Sequence, residues 1–173
     1  MISQTMQQIF NQLIQVDLNS AYFYLAIANY FERMSLKGFS VWLQAQHDEE
    51  LTHAHGLIRY LLDRGGVPVI PSLPQQPVNF GTPLQAWEVV LQHERYVTNM
   101  YQKGYNVALQ QGDTQSQVIL QTALVEQVDE EAQTTDIIGK LKLVEGMPGG
   151  ILMVDREVGG LRQVKQPVAA PAG

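Results

Sequence analysis

The stretch HDEELTH, residues 47–53, sets a carboxylate and an imidazole three residues apart, Glu50 and His53. On a helix that spacing puts both side chains on one face, one turn from each other, where together they could grip a divalent cation. Alone, the pair reads as readily as a surface ion pair. Other positions change its weight. Asp17 lies 36 residues before His53, and Glu94 lies 36 residues before Glu130, which has Gln127 one turn ahead of it. The midpoint of the first pair is Ser35 and that of the second is Gly112. If each pair belongs to a helical hairpin folded at its midpoint, the paired residues sit at equal height, about 27 Å from the turn at a rise of roughly 1.5 Å per residue. Four helices would then each present a polar group at one level, on stripes that are otherwise mostly apolar.

The elements that must position these side chains follow from helical periodicity. Phe10, Leu13, Asp17, Ala21, Tyr24, Ala28 and Phe31 recur at three- and four-residue steps, which predicts a helix over about residues 5–33. Trp42, Glu49, Glu50, His53, Leu57 and Tyr60 mark a second helix, stopped at Gly65 and Gly66. Residues 66–82 carry four prolines and break the pattern. Thr82 and Pro83 then read as an N-cap and first turn of a third helix, with Trp87, Val90, Glu94, Val97 and Tyr101 on one side. Gly112 closes that helix and Asp113 caps a fourth, striped by Ile119, Ala123, Gln127, Glu130, Thr134, Ile137 and Leu141. EGMPGG at 145–150 ends the fourth, and residues 150–161 predict a short fifth. One domain over 1–160 is expected, followed by a loose Pro/Ala-rich tail at 161–173. The proline-rich connection can extend about 55 Å at roughly 3.3 Å per residue, whereas a helix of about 26 residues is about 39 Å long. It can therefore span the bundle end to end and leave the second and third helices parallel. Two hairpins joined by one long crossover make an all-α four-helix bundle of the one-crossover type.

Composition narrows the partners. A chain that is 45% hydrophobic and 16% charged is globular, and a net charge of −6 disfavours nucleic acid and anionic membrane surfaces, which need a positive field. No leader pattern and no apolar run of membrane-spanning length occurs, so a cytoplasmic location is expected. With no cysteine there is no thiolate metal site. Carboxylates converging in a low-dielectric core repel one another unless cations compensate them. Oxygen ligands with one imidazole suit Fe(II), Mn(II) or Zn(II) better than Mg(II) or Ca(II). A pair of metals sharing the Glu50 carboxylate balances the charge best, and redox-active iron is the natural occupant.

The acid at 17, EELTH at 49–53, HER around Glu94 and EQVDEE at 126–131 together resemble the bacterial non-haem ferritins, over essentially the whole chain. The resemblance implies a ferritin-like bundle that stores iron. Fe(II) would be oxidised by dioxygen or hydrogen peroxide at a two-iron ferroxidase centre in each subunit, and ferric mineral deposited inside a 24-subunit cage with cubic symmetry. Glu50 would bridge the two irons, Asp17 and His53 would complete the first site, and Glu94 and Glu130 the second. Gln127 would hydrogen-bond near the metals or to bound oxygen species. Glu49, Glu126, Asp129 and Glu130 match a possible third iron site on the inner surface. Tyr24, seven residues beyond Asp17 on the same face, matches a tyrosine thought to supply an electron; its pattern reads equally as a core tyrosine with a satisfied hydroxyl. The fifth helix, apolar at Ile151, Leu152, Met153 and Val154, would line a four-fold contact, or else cover the end of its own bundle.

Two positions depart from the family pattern. Asp17 stands for the usual Glu, shorter by one methylene or about 1.5 Å, and Asp129 stands for a more usual Glu. No second Glu-x-x-His occurs in the fourth helix, unlike bacterioferritins, and Thr52 replaces the methionine that would ligate haem, so no haem is expected. The lack of cysteine disfavours rubrerythrin. His47, His55 and His93 read as surface or structural residues, and Trp42 and Trp87 as core or interface anchors. The rival readings are a small-oligomer diiron oxidase or peroxidase that destroys peroxide without storing mineral, and a metal-free helical interaction module. The aligned carboxylates disfavour the second.

Overall fold

A computed structural model describes residues 1–163, which form five α-helices and, among the described residues, no strand. The bundle consists of α1 (Gln4–Arg33), α2 (Lys37–Asp63), α3 (Pro83–Gln111) and α4 (Thr114–Leu143), and α5 (Gly150–Gln163) packs on α2 and α4. None of the helices is long and apolar enough to cross a membrane among the described residues.

Local chemistry explains where the helices start and stop. The Ser3 hydroxyl accepts from the Met6 N–H at 3.1 Å and opens α1. Thr82 and Gln85 form a reciprocal capping box ahead of Pro83. At the α3–α4 junction Gly112 takes φ +65°, a left-handed conformation that glycine adopts without steric cost. Asp113 then caps α4 through Ser116 N and accepts from both Arg64 terminal nitrogens at 3.1 Å, tying the end of α2 to the start of α4. The α2 helix ends at Asp63, just before the expected glycine pair.

The crossover is zipped along α1. Gln7 Oε1 accepts from Val67 N at 2.9 Å, and the Asn11 amide accepts from Val69 N at 2.7 Å while donating to the Val67 carbonyl at 3.0 Å. Further up α1, Asn19 Oδ1 accepts from Gln76 Nε2 at 2.9 Å, and Arg33 and Tyr30 donate to the carbonyls of Val78 and Gly81. The segment thus travels the length of α1 and returns the chain to the end where α2 began, so α2 and α3 run parallel.

The core is divided. One apolar cluster, around Phe31, Phe39, Trp42, Trp87 and Leu141, fills the end nearest α5. The other, around Met6, Phe10, Leu13, Leu61 and Leu120, fills the opposite end. Buried Asp17, Ser20, Gln46, Glu50, Glu94 and Gln127 lie between. Ile119 does not belong to the α4 stripe: it is 37% exposed, whereas Ser116 and Leu120 are fully buried. Leu120 joins the cluster of Met6, Phe10 and Leu13, and Gly104 brings α3 close to α1 there, since its Cβ would stand 3.0 Å from Ile9 Cγ2.

Helix α5 covers the end of its own bundle. Val154 and Val158 join the first cluster, and Asp155 Oδ1 accepts from Phe39 N at 2.8 Å. The approach depends on two glycines, since a Cβ on Gly159 would lie 2.7 Å from Gly38 Cα. Ile151, Leu152, Met153 and Leu161 remain exposed on the other side. Residues 161–163 continue this helix, so the expected loose tail does not start at 161; its remainder, 164–173, lies outside the described residues.

Candidate metal centre

All four helices of the bundle contribute to the polar layer. Gln46, Glu50 and His53 occupy successive turns on one face of α2, and Glu94, Thr98 and Tyr101 repeat that spacing on α3. Asp17 comes from α1, and Gln127, Glu130 and Glu131 from α4.

Asp17 is wholly buried, and the Tyr101 hydroxyl lies 3.0 and 2.8 Å from its two carboxylate oxygens. Burial pushes the Asp17 carboxyl well above the usual range, Glu50 adds to the shift, and Tyr101 and His53 oppose it. Burial likewise raises Glu50, against the pull of His53. The His53 ring has Nδ1 3.9 Å from Glu50 Oε2 and Nε2 3.6 Å from Glu126 Oε2. The Glu50 carboxylate raises this imidazole to about 9 in spite of partial burial. Glu94, 1% exposed, is pushed up to about 8 by burial, which outweighs the hydrogen bond it accepts at 2.9 Å from Gln127 Nε2. Its other oxygen, Oε1, is buried with no hydrogen-bond partner. Glu130 accepts from Gln46 Nε2 at 2.7 Å, and Glu131 from Thr98 Oγ1 at 2.7 Å.

Among the described residues no three His, Asp or Glu side chains converge closely enough to share one ion. The donors expected to converge are brought to one layer, each acid turned to a neighbour: Asp17 to Tyr101, Glu94 to Gln127, Glu130 to Gln46, Glu50 toward His53. Repulsion between buried carboxyl groups favours that arrangement. Of the four acids matched to a third site, Glu126, Asp129 and Glu130 lie within about one turn of α4 and Glu49 lies on α2. Glu49 is half-buried, Glu126 is exposed beside His53, and Asp129 is exposed. Tyr24 is wholly buried, and its hydroxyl lacks the partner expected of a core tyrosine. His93 is structural: it meets Ser20 Oγ at 2.8 Å, stacks on Phe23, and burial holds it down to about 4. His47 pairs with the Ala21 carbonyl at 2.8 Å, and His55 is exposed. Trp42 and Trp87 are core anchors, their rings 5.2 Å apart.

Sequence reasoning missed Gln46, Thr98, Glu131 and the polar side of Tyr101. Its signal was available, because Gln46 and Thr98 stand one turn from Glu50 and Glu94, and Tyr101 two turns from Glu94. Beside His53 a cavity of about 260 Å³ opens between α2 and α4, lined also by Leu57, Tyr60, Tyr101, Ala123 and Glu126.

The donors suit hard or borderline divalent cations: carboxylates with one imidazole, no thiolate, and one buried carboxylate oxygen left without a partner. A family profile described as "Ferritin-like domain" matches residues 7–144. The chain is 33% identical over 159 residues to the bacterial non-heme ferritin of Bacteroides fragilis, spanning 92% of this chain and 99% of that one. Against the bacterial non-heme ferritin of Campylobacter jejuni the identity is 27% over 158 residues, spanning 91% and 95%. A similar solved structure is the open pore ferritin of the hyperthermophilic archaeon Archaeoglobus fulgidus, at TM-score 0.89 and 36% identity, covering 92% of this chain and 98% of that one.

Proposed function

This chain belongs to the ferritin family, and on that premise we propose that it stores iron, oxidising Fe(II) at a dinuclear ferroxidase centre and holding the ferric product inside a 24-subunit cage in the cytoplasm. The observation that carries the reading is the buried polar layer drawn from four helices, three of which bury an acid in it, set between two apolar clusters. A fold gains nothing in stability from burying Asp17, Glu50 and Glu94 together, whereas cations would offset their charge.

Fe(II) is the substrate. As these side chains turn from their present neighbours toward the ions, Asp17, Glu50 and His53 would hold one; Glu50, Glu94 and Glu130 would hold a second. Binding displaces the protons that Glu94 and His53 retain at neutral pH. Dioxygen or hydrogen peroxide accepts one electron from each iron, and the carboxylates favour the harder Fe(III) product. Gln127, whose amide already reaches Glu94, orients that acid and donates a hydrogen bond near the oxidant. Where dioxygen is reduced beyond peroxide, Tyr24 would give it a further electron together with the phenol proton, and Glu49, Glu126, Asp129 and Glu130 receive iron on its way to the interior. The exposed apolar side of α5 lines the four-fold contact of the cage.

The test is aerobic addition of Fe(II) in large excess over subunits, followed by size exclusion with iron and protein monitored together. Ferric iron co-eluting far above a few per subunit, on a particle near twenty-four chains, is the expected result. Iron that stops at about two per subunit on a small oligomer would overturn storage and leave a diiron oxidase or peroxidase.

A further inference from the structure

We propose that Tyr101 is a positioning residue for Asp17, the hydroxyl and the short acid forming one unit that shapes the first metal position. The inference rests on the reading of Asp17 as a ligand. Tyr101 is 4% exposed and Asp17 is wholly buried, so water does not substitute for the bond between them. With one proton to give, the phenol sits across both carboxylate oxygens at 3.0 and 2.8 Å, which opposes rotation of the carboxyl group. A carboxylate has about four lone-pair sites, so the hydroxyl leaves others free for a cation.

The pairing also accounts for the short acid. The hydroxyl is already 2.8 Å from the nearer Asp17 oxygen. A Glu extended along the same direction would reach about 1.5 Å farther, into the space that the hydroxyl fills, and would have to fold away from it. Asp17 and Tyr101 are therefore matched in length, and a change at either position is expected to alter the other's effect. Tyr101 also lines the cavity beside His53 and Glu126, whereas Asp17 does not.

Tyr101→Phe removes only the hydroxyl and keeps the ring in its apolar cluster. The assembled full-length protein and its variants are titrated anaerobically with Co(II), followed by visible absorption and calorimetry, with thermal unfolding recorded alongside. Wild type is expected to take up two Co(II) per subunit. Tyr101→Phe should weaken one of the two by about ten-fold or more, the scale of a lost hydrogen bond to a charged group, and leave the other unchanged. Asp17→Glu should bind more weakly on its own than when combined with Tyr101→Phe, because the longer acid fits once the hydroxyl is gone. Unchanged affinities in Tyr101→Phe would overturn the inference while leaving the proposed function standing. Equal weakening of both sites with a fall in melting temperature and no rescue by Asp17→Glu would make Tyr101 merely structural, and also overturn it. No Co(II) uptake by wild type would overturn both.

Discussion

Glu94→Gln isolates the cost of the buried acids. The substitution keeps the size of the side chain and an oxygen to accept from Gln127, and removes the ionisable group. In metal-stripped protein the Glu94 carboxyl is 1% exposed, and burial moves it from an ordinary 4.5 to about 8. Above about pH 4.5 the unfolded chain has released this proton while the folded chain keeps it until near pH 8. The folded state therefore binds more protons across that window, and its stability falls as pH rises. The slope is about 1.4 kcal/mol per pH unit, or about 2–3 kcal/mol between about pH 5 and pH 7. For a chain of this length that corresponds to about 5–10 °C of melting temperature. Thermal unfolding of wild type and variant at several pH values reads the difference directly. Asp17, Glu50 and His53 titrate in both proteins, and Glu94 lies inside the bundle, so these and any subunit contacts largely cancel. The Gln variant should gain on wild type with each pH unit up to about 8 and then keep a constant lead. Parallel curves for the two proteins would refute the claim that burial holds this carboxyl protonated. Adding redox-inert Zn(II) at the upper pH should reverse the order, since only wild type offers the carboxylate.

Three further outcomes are expected. Zn(II) binding in weakly buffered solution near neutral pH should release protons, because Glu94 titrates at about 8 and His53 at about 9; affinity should rise with pH through that range, and binding with no proton release would contradict those assignments. Gly38→Ala should displace α5, since its Cβ would stand 1.8 Å from the Asp155 carbonyl oxygen; a loss of about 3 kcal/mol in thermal unfolding, with faster amide exchange in α5, is the expected signature, and unchanged exchange there would argue against the close crossing. Asp113→Ala removes both the α4 cap and the partner of Arg64, and urea unfolding should show a loss of about 1–2 kcal/mol.

Much of this architecture is legible in the sequence alone. The caps at Thr82 and Asp113, the glycine turn at 112 and the long crossover are local signals whose physics needs no distant partner. The crossover's length against the length of a helix was enough to predict parallel α2 and α3, and the side chains of Gln7, Asn11 and Asn19 secure that path. The stripe on α4 was less well resolved. Ile119 and Leu120 are neighbours about 100° apart around the helix, and both extend an apolar pattern equally well. Leu120 is inside because α4 is rotated to turn it into the cluster of Met6, Phe10 and Leu13, a fact about several helices rather than one. The same limit applied to α5, whose apolar residues divide between Val154 and Val158, turned inward, and Ile151, Leu152 and Met153, turned outward.

By itself, then, the sequence determined the height at which Asp17, Glu50, His53, Glu94, Gln127 and Glu130 stand, because helical rise is constant and two turns set the origin from which it is counted. Only the tertiary structure decided which donor each acid meets: Tyr101 for Asp17, Gln46 for Glu130, Gln127 for Glu94. Those pairings depend on how far each helix is rotated about its own axis and how closely it approaches its neighbour. Both are settled by the packing of two apolar clusters on either side of the layer, and periodicity along one chain does not encode them.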